Sequence, residues 1–333
     1  MPDLLSDLGR TAAEPDPPDG DLARVVRVHR GACDVATADG AARVATARDA
    51  DPVTGDWAVV REHRLVRLLP RRTLLARAAV GGASHEQALA ANVDTVAVVV
   101  APDSRTTTAR VERFVALAWG SGARPLLVLA KADLVADPAA RLDGLEAAAP
   151  GVDVLAVSAA TGQGLEQLRA ALAGTVVLLG SSGAGKSTLV NALAGEPVMA
   201  TDAVRAADGR GRHTTVTREL VPLGGGLVLL DTPGLRGVGV GDLDEGLERT
   251  FSDVEDLAVD CRFADCRHDG EPGCAVAAAV DAGVLDGRRL VSLRRLERER
   301  EFFASRTDAR LRAERARRWK AVARAQRARG ARP

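Results

Sequence analysis

The sequence predicts a multidomain protein with an N-terminal all-β barrel, a central α/β domain and a C-terminal α-helical domain. Three patterns predict this organisation: short β-like runs between turn residues, then strand-like runs that alternate with helical stretches, and finally helical periodicity interrupted by a Cys/His cluster. We place the barrel at residues 21–80, the central domain at 81–242 and the helical domain at 243–333. Residues 1–20 are acidic and proline-rich, and we expect them to form a disordered tail.

The composition favours a soluble protein of the cytoplasm. Its 46% hydrophobic content can supply a core for each domain, and runs such as Val96–Ala101 are far shorter than the roughly 20 residues of a membrane-spanning helix. The N-terminus lacks the basic start and apolar centre of a secretory signal. The formal net charge is 0, yet residues 288–333 hold 17 Lys and Arg against 5 Asp and Glu. This basic end indicates a polyanionic partner, with nucleic acid as the first candidate.

The first domain has the strand spacing of a small antiparallel barrel. Turn residues such as Asp39-Gly40 separate its runs. Five short strands suit an oligonucleotide-binding (OB) fold, although periodicity alone also fits other small barrels. Trp57 is the single aromatic residue between 22 and 69, so a platform for base stacking is not supported. The runs are Leu22–His29, Val35–Ala38, Val44–Thr46, Ala58–Val60 and Leu65–Leu69.

The central domain alternates strand-like and helical segments. This alternation indicates a parallel sheet covered by helices on both faces. Two more runs, Leu220–Leu223 and Leu227–Leu230, extend the predicted sheet. The earlier strand-like runs are Val93–Ala101, Pro125–Leu129, Val152–Val157 and Thr175–Leu179, and helices are expected near Thr107–Trp119, Pro138–Ala149, Gly164–Leu172 and Lys186–Ala194.

A phosphate-binding loop follows the run Thr175–Leu179. The segment fits G-x-x-x-x-G-K-[ST] in the required context between a strand and a helix. Its glycines let successive N–H groups face the phosphates, and the helix directs its positive end toward them. Lys186 is expected to reach the β- and γ-phosphates, and the Ser187 hydroxyl to bind Mg²⁺. The predicted nucleotide-binding residues are Gly180, Ser181, Ser182, Gly183, Ala184, Gly185, Lys186, Ser187 and Thr188.

Two segments upstream of this loop favour guanine over adenine. Lys131 and Asp133 follow one strand-like run, in the place of the N-K-x-D motif of G domains, and Ser158-Ala159 follows the next. The Asp133 carboxylate is expected to accept hydrogen bonds from guanine N1 and its exocyclic amine, a donor pair that adenine lacks. Lys131 would cover the base, and the Ser158-Ala159 loop would offer backbone N–H. Ala130 replaces the Asn whose amide normally ties the base loop to the phosphate loop.

Downstream, two segments have the character of nucleotide switches. Asp231-Thr-Pro-Gly234 fits D-x-P-G, so Asp231 is expected to hold the Mg²⁺ shell through water and the Gly234 N–H to contact the γ-phosphate. In Gly211-Arg-His-Thr-Thr215, we favour Thr215 over Thr214 as a magnesium ligand. The base-reading motif precedes the phosphate loop, which predicts a circularly permuted P-loop GTPase domain with an unchanged pocket.

A cluster of metal-ligand residues opens the C-terminal domain. Cys261, Cys266, His268 and Cys274 supply three thiolates and an imidazole, enough for a closed tetrahedral zinc site. The alternative is a group of reduced thiols beside a surface histidine. A closed site leaves no position for catalysis, so we expect the zinc to be structural. Cys33 stands apart and is interpreted as a packed thiol.

Together these motifs resemble the RsgA family of ribosome-small-subunit-dependent GTPases over nearly the whole chain. The motifs are Ala91-Asn-Val-Asp94, the phosphate loop, Gly211–Thr215, Asp231–Gly234 and the Cys/His cluster. The resemblance implies an OB barrel, a permuted G domain, a zinc domain, and late maturation of the small ribosomal subunit with its ribosomal RNA as partner. It also implies GTP hydrolysis that the subunit stimulates and that is coupled to release. We expect a monomer.

Leu235 stands where Ras-like enzymes have a water-orienting Gln, and leucine cannot orient water. We therefore assign a catalytic role to His213, beside the switch threonines, as the resemblance suggests; the alternative is an exposed loop histidine. Two other functions share part of this pattern. A transport ATPase shares this phosphate loop but requires an LSGGQ-like signature and an acidic residue after Asp231, and the sequence has neither. A scaffold that binds RNA without hydrolysing GTP is motivated by Ala130 and the basic tail.

Overall fold

In the computed structural model, which describes residues 4–47, 49–77, 87–102, 106–199, 219–231, 244–307 and 310, the first strands close into a barrel. Neighbouring strands are antiparallel except for one parallel bridge between β3 and β5, and the strand order is β1-β2-β3-β5-β4. The strands are β1 Asp21–His29, β2 Ala32–Thr37, β3 Gly40–Ala45, β4 Trp57–Arg61 and β5 Arg64–Leu68. The predicted five-stranded barrel is confirmed.

Alternate side chains of these strands fill the barrel interior with small apolar residues, among them Val25, Val35 and Val44. Cys33 belongs to the same cluster and is fully buried. Burial raises the pKa of the Cys33 thiol to about 11, which keeps the thiol protonated at neutral pH. The interpretation of Cys33 as a packed thiol is therefore confirmed.

The N-terminal segment packs on the rest of the chain, so the expectation of a disordered tail is wrong for residues 4–20. Leu5 lies in the short helix α1 (Leu4–Asp7) and Leu8 directly follows it. Both side chains are buried, with exposed fractions of 1% and 3%. Glu14 closes the next turn because its carboxylate accepts hydrogen bonds from Thr11 N and Oγ1 at 2.9 and 2.8 Å. Burial of these two leucines contributes to the order of the segment, together with ion pairs such as Arg67 with Asp19 and Arg72 with Glu14.

A hairpin of β6 (Leu74–Arg77) and β7 (Gln87–Ala91) connects the barrel to the central sheet. The predicted boundary between residues 80 and 81 falls between these paired strands. On the barrel side, Gly55 packs against the end of the hairpin so closely that a Cβ there would lie 2.2 Å from the Ala91 carbonyl oxygen. This glycine also has a φ of +95°, so the close approach and the backbone conformation both require it.

The central sheet contains six strands within the described residues, in the order β10-β9-β8-β11-β13-β12. Neighbouring strands are parallel except at β12, which pairs antiparallel with β13, so the all-parallel prediction is wrong at this edge. The turn Gly224-Gly225-Gly226 joins these two strands, and a connection this short can only reverse the chain. The strands are β8 Thr95–Val100, β9 Arg124–Ala130, β10 Val154–Val157, β11 Thr175–Leu179, β12 Glu219–Pro222 and β13 Val228–Asp231.

Helices cover both faces of this sheet, as predicted. Alternate residues of β8 belong to two different apolar clusters: Val96 and Val98 pack with α2, whereas Ala97 and Val99 pack with α4 and α5. The period of two that defines a strand therefore divides the core into two layers. The helices are α2 Thr108–Gly120, α3 Pro138–Glu146, α4 Leu165–Ala171 and α5 Lys186–Ala194, with a 3₁₀ turn at Ala132–Leu134.

The C-terminal part is helical throughout its described regular structure. Its apolar side chains, such as Leu247, Phe251 and Leu293, join the cluster that contains α2. The helices are α6 Asp244–Thr250, α7 Ser252–Ala258, α8 Ala275–Asp281 and α9 Gly287–Thr307. In the part of the chain that the structure describes, no helix combines the length and apolarity needed to span a membrane.

Candidate nucleotide site and metal centre

The predicted nucleotide-binding segments meet at one edge of the central sheet. Lys131 follows β9, Ser158 follows β10 and Gly180 follows β11, while Asp231 is the last residue of β13. Because these strands are parallel, their carboxyl ends lie at the same edge, where α/β proteins commonly bind ligands. Segments up to 100 residues apart in sequence thus lie at one edge of the sheet.

Glycine makes the turn of the phosphate loop possible. Gly183 and Gly185 have φ of +79° and +90°, values that residues with a Cβ rarely adopt. Gly180 lies so close to β8 that a Cβ would be 2.3 Å from the Val99 carbonyl oxygen. With Gly185 as its N-cap, α5 begins at Lys186, so the positive end of a nine-residue helix faces the loop.

The Lys186 side chain folds back over the loop. Its Nζ donates hydrogen bonds to the carbonyl oxygens of Gly180 and Ser181 at 3.0 and 2.7 Å. An ammonium group and the N-terminus of a helix together form an environment suited to an anion. Ser187, in the first turn of α5, is half-buried, and Ser182, Gly183 and Thr188 are exposed.

The base-reading loop lies against the phosphate loop. Lys131 adopts a left-handed conformation with φ +56°, and its Cε lies 3.8 Å from the position of a Cβ on Gly185. Asp133 is exposed in the 3₁₀ turn that follows. The apolar stem of Lys131 therefore runs beside the phosphate loop.

Ser158 and Ala159 form a tight turn after β10. Ser158 is fully buried, its N–H donates to the Gln163 carbonyl at 2.9 Å, and its Oγ accepts from Thr161 N at 3.2 Å. Ala159 is half-buried. Since the Ser158 N–H is used within the loop, Ala159 is the better placed of the two to offer a backbone N–H to a ligand.

The predicted magnesium ligands are described only in part. Ser187 lies in the helix after β11 and the half-buried Asp231 ends the neighbouring strand β13. Their hydroxyl and carboxylate are hard oxygen donors of the kind that Mg²⁺ prefers. The predicted switch residues His213, Thr215 and Gly234 lie outside the described residues. One contact that the sequence did not indicate also involves this edge: Thr106 Oγ1 donates a hydrogen bond to Ser181 Oγ at 3.0 Å.

The four predicted zinc ligands come together between α7 and α8. Their ligand atoms all lie within 4.8 Å of one another. The Cys261 and Cys274 sulfurs are 4.0 Å apart, and His268 Nδ1 is 3.6 and 3.4 Å from these two sulfurs. Tetrahedral zinc with bonds of about 2.3 Å to sulfur and 2.0–2.1 Å to nitrogen places its ligands at similar separations. The donor set and the spacing therefore fit zinc.

Backbone hydrogen bonds shape the loop that carries these ligands. The Glu271 carboxylate accepts from the N–H groups of Arg267 and Asp269 at 3.1 and 2.6 Å, and backbone hydrogen bonds lower the pKa of this carboxyl. Cys274 caps α8 because its Sγ accepts from Ala277 N at 3.3 Å. This hydrogen bond fixes the Cys274 sulfur at the start of α8, within the cluster of ligand atoms.

Comparison with known proteins places this geometry among nucleotide hydrolases. The family model described as RsgA GTPase matches residues 68–241. "Small ribosomal subunit biogenesis GTPase RsgA" of Streptomyces coelicolor is 54% identical over 305 residues, which cover 87% of this chain and 83% of the relative. The protein of the same name from Methanosarcina acetivorans is 42% identical over 265 residues, covering 77% and 72%.

Two solved structures share the fold. YjeQ from Thermotoga maritima superposes with a TM-score of 0.63 at 25% identity, covering 83% of this chain and 96% of that one. YloQ, whose structure is described as that of a circularly permuted GTPase, gives a TM-score of 0.58 at 22% identity, covering 90% and 98%.

Proposed function

The chain belongs to the RsgA GTPase family and is a GTPase, and we propose that it binds GTP at the described sheet edge and acts in biogenesis of the small ribosomal subunit. The observation that carries the proposal is the meeting of two loops: the Lys131 stem lies beside Gly185 of the phosphate loop. A base-reading loop and a phosphate loop in contact can hold both ends of one nucleotide. Because the base-reading loop comes first in the chain, we propose a circularly permuted G domain.

Within this site, each described residue has a proposed task. Lys186 exchanges its bonds to the loop carbonyls for β- and γ-phosphate oxygens, which an ammonium binds more strongly. Ser187 and Asp231 would hold Mg²⁺, which supplies charge neutralisation at the phosphates when bound. Asp133 reads the guanine edge, Lys131 covers the base, and the Ala159 N–H faces the guanine carbonyl.

The catalytic step is assigned to residues of the two switch segments. We propose that Thr215 completes the magnesium site, that the Gly234 N–H contacts the γ-phosphate, and that His213 positions the attacking water. Leu235 cannot do so, because its side chain has no hydrogen-bonding group. Hydrolysis by the isolated protein should therefore be slow and should accelerate when a partner places the catalytic groups around the γ-phosphate.

The proposed partner is the small ribosomal subunit with its RNA. The names of the relatives include this subunit, and residues 288–333 carry 17 Lys and Arg against 5 Asp and Glu. Such a basic segment suits contacts with phosphates, which depend strongly on salt. We propose that GTP hydrolysis on the subunit leads to release of the protein.

Hydrolysis measured with and without purified small subunits tests the proposal. We expect slow GTP turnover alone, faster turnover with small subunits, no comparable effect of large subunits, and no turnover by Lys186→Ala. Equal rates with both subunits would contradict the assigned partner. Tighter binding of ATP than of GTP would contradict the guanine assignment, for which Asp133→Ala should weaken GTP binding about tenfold or more, the effect of losing hydrogen bonds to a charged group.

The metal centre has a separate test. We propose one structural zinc per chain, so elemental analysis of the purified protein should give one equivalent of zinc and Cys274→Ser should abolish its binding. Cys33→Ala is the matched control, since this thiol is buried in the barrel and is remote from the cluster in sequence. Loss of zinc in the control, or its retention in Cys274→Ser, would contradict the assigned ligands.

A further inference from the structure

Thr106 connects β8 and α2 to the start of the phosphate loop. It lies between the two elements at the sheet edge that carries the loop, and its Oγ1 donates to Ser181 Oγ at 3.0 Å. The two residues are 75 positions apart, and Ser181 is only 8% exposed, so water competes little for this hydrogen bond. The contact joins two parallel strands through their loops.

The first turn of the phosphate loop benefits from such a support. Gly180 and Gly183 both have positive φ, and glycine is costly to order. The Lys186 ammonium holds the carbonyls of Gly180 and Ser181, but phosphate oxygens would compete for the same ammonium. The Thr106 to Ser181 bond uses neither the ammonium nor a backbone N–H of the loop. It can therefore persist when a nucleotide is bound.

The neighbouring base-reading loop cannot provide an equivalent side-chain hydrogen bond at residue 130. Ala130 ends β9 with a methyl group where G domains carry the Asn amide that ties the two loops. Ala130 and Ala184 belong to the same apolar cluster, and their exposed fractions are only 4% and 0%, so the packing there is nonpolar. A polar link to the phosphate loop is made instead from the β8 side.

Helix α2, which follows Thr106, is firmly attached to the C-terminal helix α9. Helix α2 starts two residues later, and its fully buried Glu112 accepts hydrogen bonds from Arg288 and Arg289 of α9 at 3.1 and 3.2 Å. Thr106 directly precedes Thr107, the N-cap of this helix, so an anchored element holds the backbone on one side of Thr106.

We propose that Thr106 is a positioning residue for nucleotide binding: its hydroxyl holds Ser181 and so fixes the first turn of the phosphate loop. This inference rests on the proposed nucleotide site at residues 180–188. Removing the hydroxyl with the isosteric change Thr106→Val should weaken GDP and GTP binding about three- to tenfold, the range expected for one partly buried hydrogen bond. KM should rise by a similar factor while kcat stays within about twofold, because the loop binds substrate and transition state alike.

Titration calorimetry and steady-state kinetics on the full chain test the proposal. Thr106→Ser should restore binding, since it returns the hydroxyl. Ser181→Ala should weaken binding as Thr106→Val does, and the double variant should be no worse than either single variant. This second route removes the same bond if Thr106→Val fails to fold. The matched control is Thr107→Val: Thr107 is exposed, makes no side-chain cap hydrogen bond, and should tolerate the same change.

Additive losses in the double variant, or equal losses in Thr106→Val and Thr107→Val, would overturn the role of Thr106. Unchanged nucleotide binding in Thr106→Val would overturn it as well. A wild-type protein that binds no GTP would instead overturn the nucleotide site, so the two failures are distinguishable.

Discussion

Glu112 shows how one buried charge can join two parts of the chain. It lies on α2 with no exposed surface, and it accepts hydrogen bonds from Arg288, Arg289 and Ser292, all on α9. Arg289 is 2% exposed and also contacts the Asp253 carboxylate. A carboxylate removed from water this completely depends on its donors, because an unpaired buried charge is strongly unfavourable.

Replacing Arg289 by methionine should therefore lower the free energy of unfolding by about 3–5 kcal/mol, the loss seen when one partner of a buried ion pair is removed. Urea denaturation followed by circular dichroism measures it. Arg288→Met is the matched control. The native Arg288 guanidinium contacts the same Glu112 oxygen at 3.1 Å, but the Arg288 side chain is 41% exposed. The control should lose about 1 kcal/mol or less. Similar losses of unfolding free energy in both variants would show that burial of the arginine does not determine how much its ion pair with Glu112 stabilises the protein.

At the scale of elements, α6 packs on α2 through a glycine. A Cβ on Gly246 would lie 2.2 Å from the Ala116 carbonyl oxygen and 2.8 Å from the Gly120 nitrogen, both backbone atoms of α2. Arg249, one turn along α6, stacks on Trp119 of α2 with 3.5 Å to the ring centroid. Because Gly246 has no side chain, the two helix backbones can approach each other closely.

Gly246→Ala should destabilise the protein by about 1–3 kcal/mol, since the methyl group meets backbone that cannot move locally. An alanine in a helix is normally the more stable residue by about 0.5–1 kcal/mol. Gly144→Ala in α3 is the matched control, because a Cβ there would meet no atom within 4 Å. Thermal unfolding should thus move to lower temperature for Gly246→Ala and to slightly higher temperature for Gly144→Ala. A higher transition temperature for both would contradict the close packing.

Sequence patterns predicted the elements that local chemistry determines. The phosphate loop and the helix Lys186–Ala194 were predicted with the observed bounds, because glycine spacing and strand context act within a few residues. The Cys/His cluster was also predicted, because its four ligands lie within fourteen consecutive residues. The strand at β12 was predicted but its antiparallel direction was not, although three consecutive glycines before Leu227 offered a signal for a tight reversal.

Contacts between distant residues were beyond such patterns. Thr106 and Ser181 are 75 residues apart, and Glu112 and Arg289 are 177 apart. A threonine in a connection, or a glutamate and an arginine on helices, carries no motif, and only the assembled fold brings each pair together. For the same reason, the acidic composition of residues 1–20 predicted disorder. The contribution of Leu5 and Leu8 to stability depends on the surface that they cover, which composition does not show.

At the scale of the whole molecule, the barrel and the central sheet share one core. A single apolar cluster contains Leu22 and Trp57 of the barrel, Val96 and Val228 of the sheet, and Leu5 of the N-terminal segment. Arg24 reinforces this junction: it is fully buried, lies 4.5 Å over the Trp57 ring, and donates to Thr175 Oγ1 of β11 at 2.9 Å. Two units that bury their apolar surface against each other should unfold together.

Leu5→Ala tests this cooperativity, because Leu5 is 1% exposed within the shared cluster. Truncating a fully buried leucine costs about 2–5 kcal/mol, so the unfolding midpoint should fall clearly. Hydrogen exchange read separately for barrel and sheet peptides should show both units losing protection to the same extent. Ser6→Ala, on an exposed position of the same helix, should leave both unchanged. Loss of protection confined to the barrel would mean that the two units unfold independently and that the N-terminal segment stabilises only one of them.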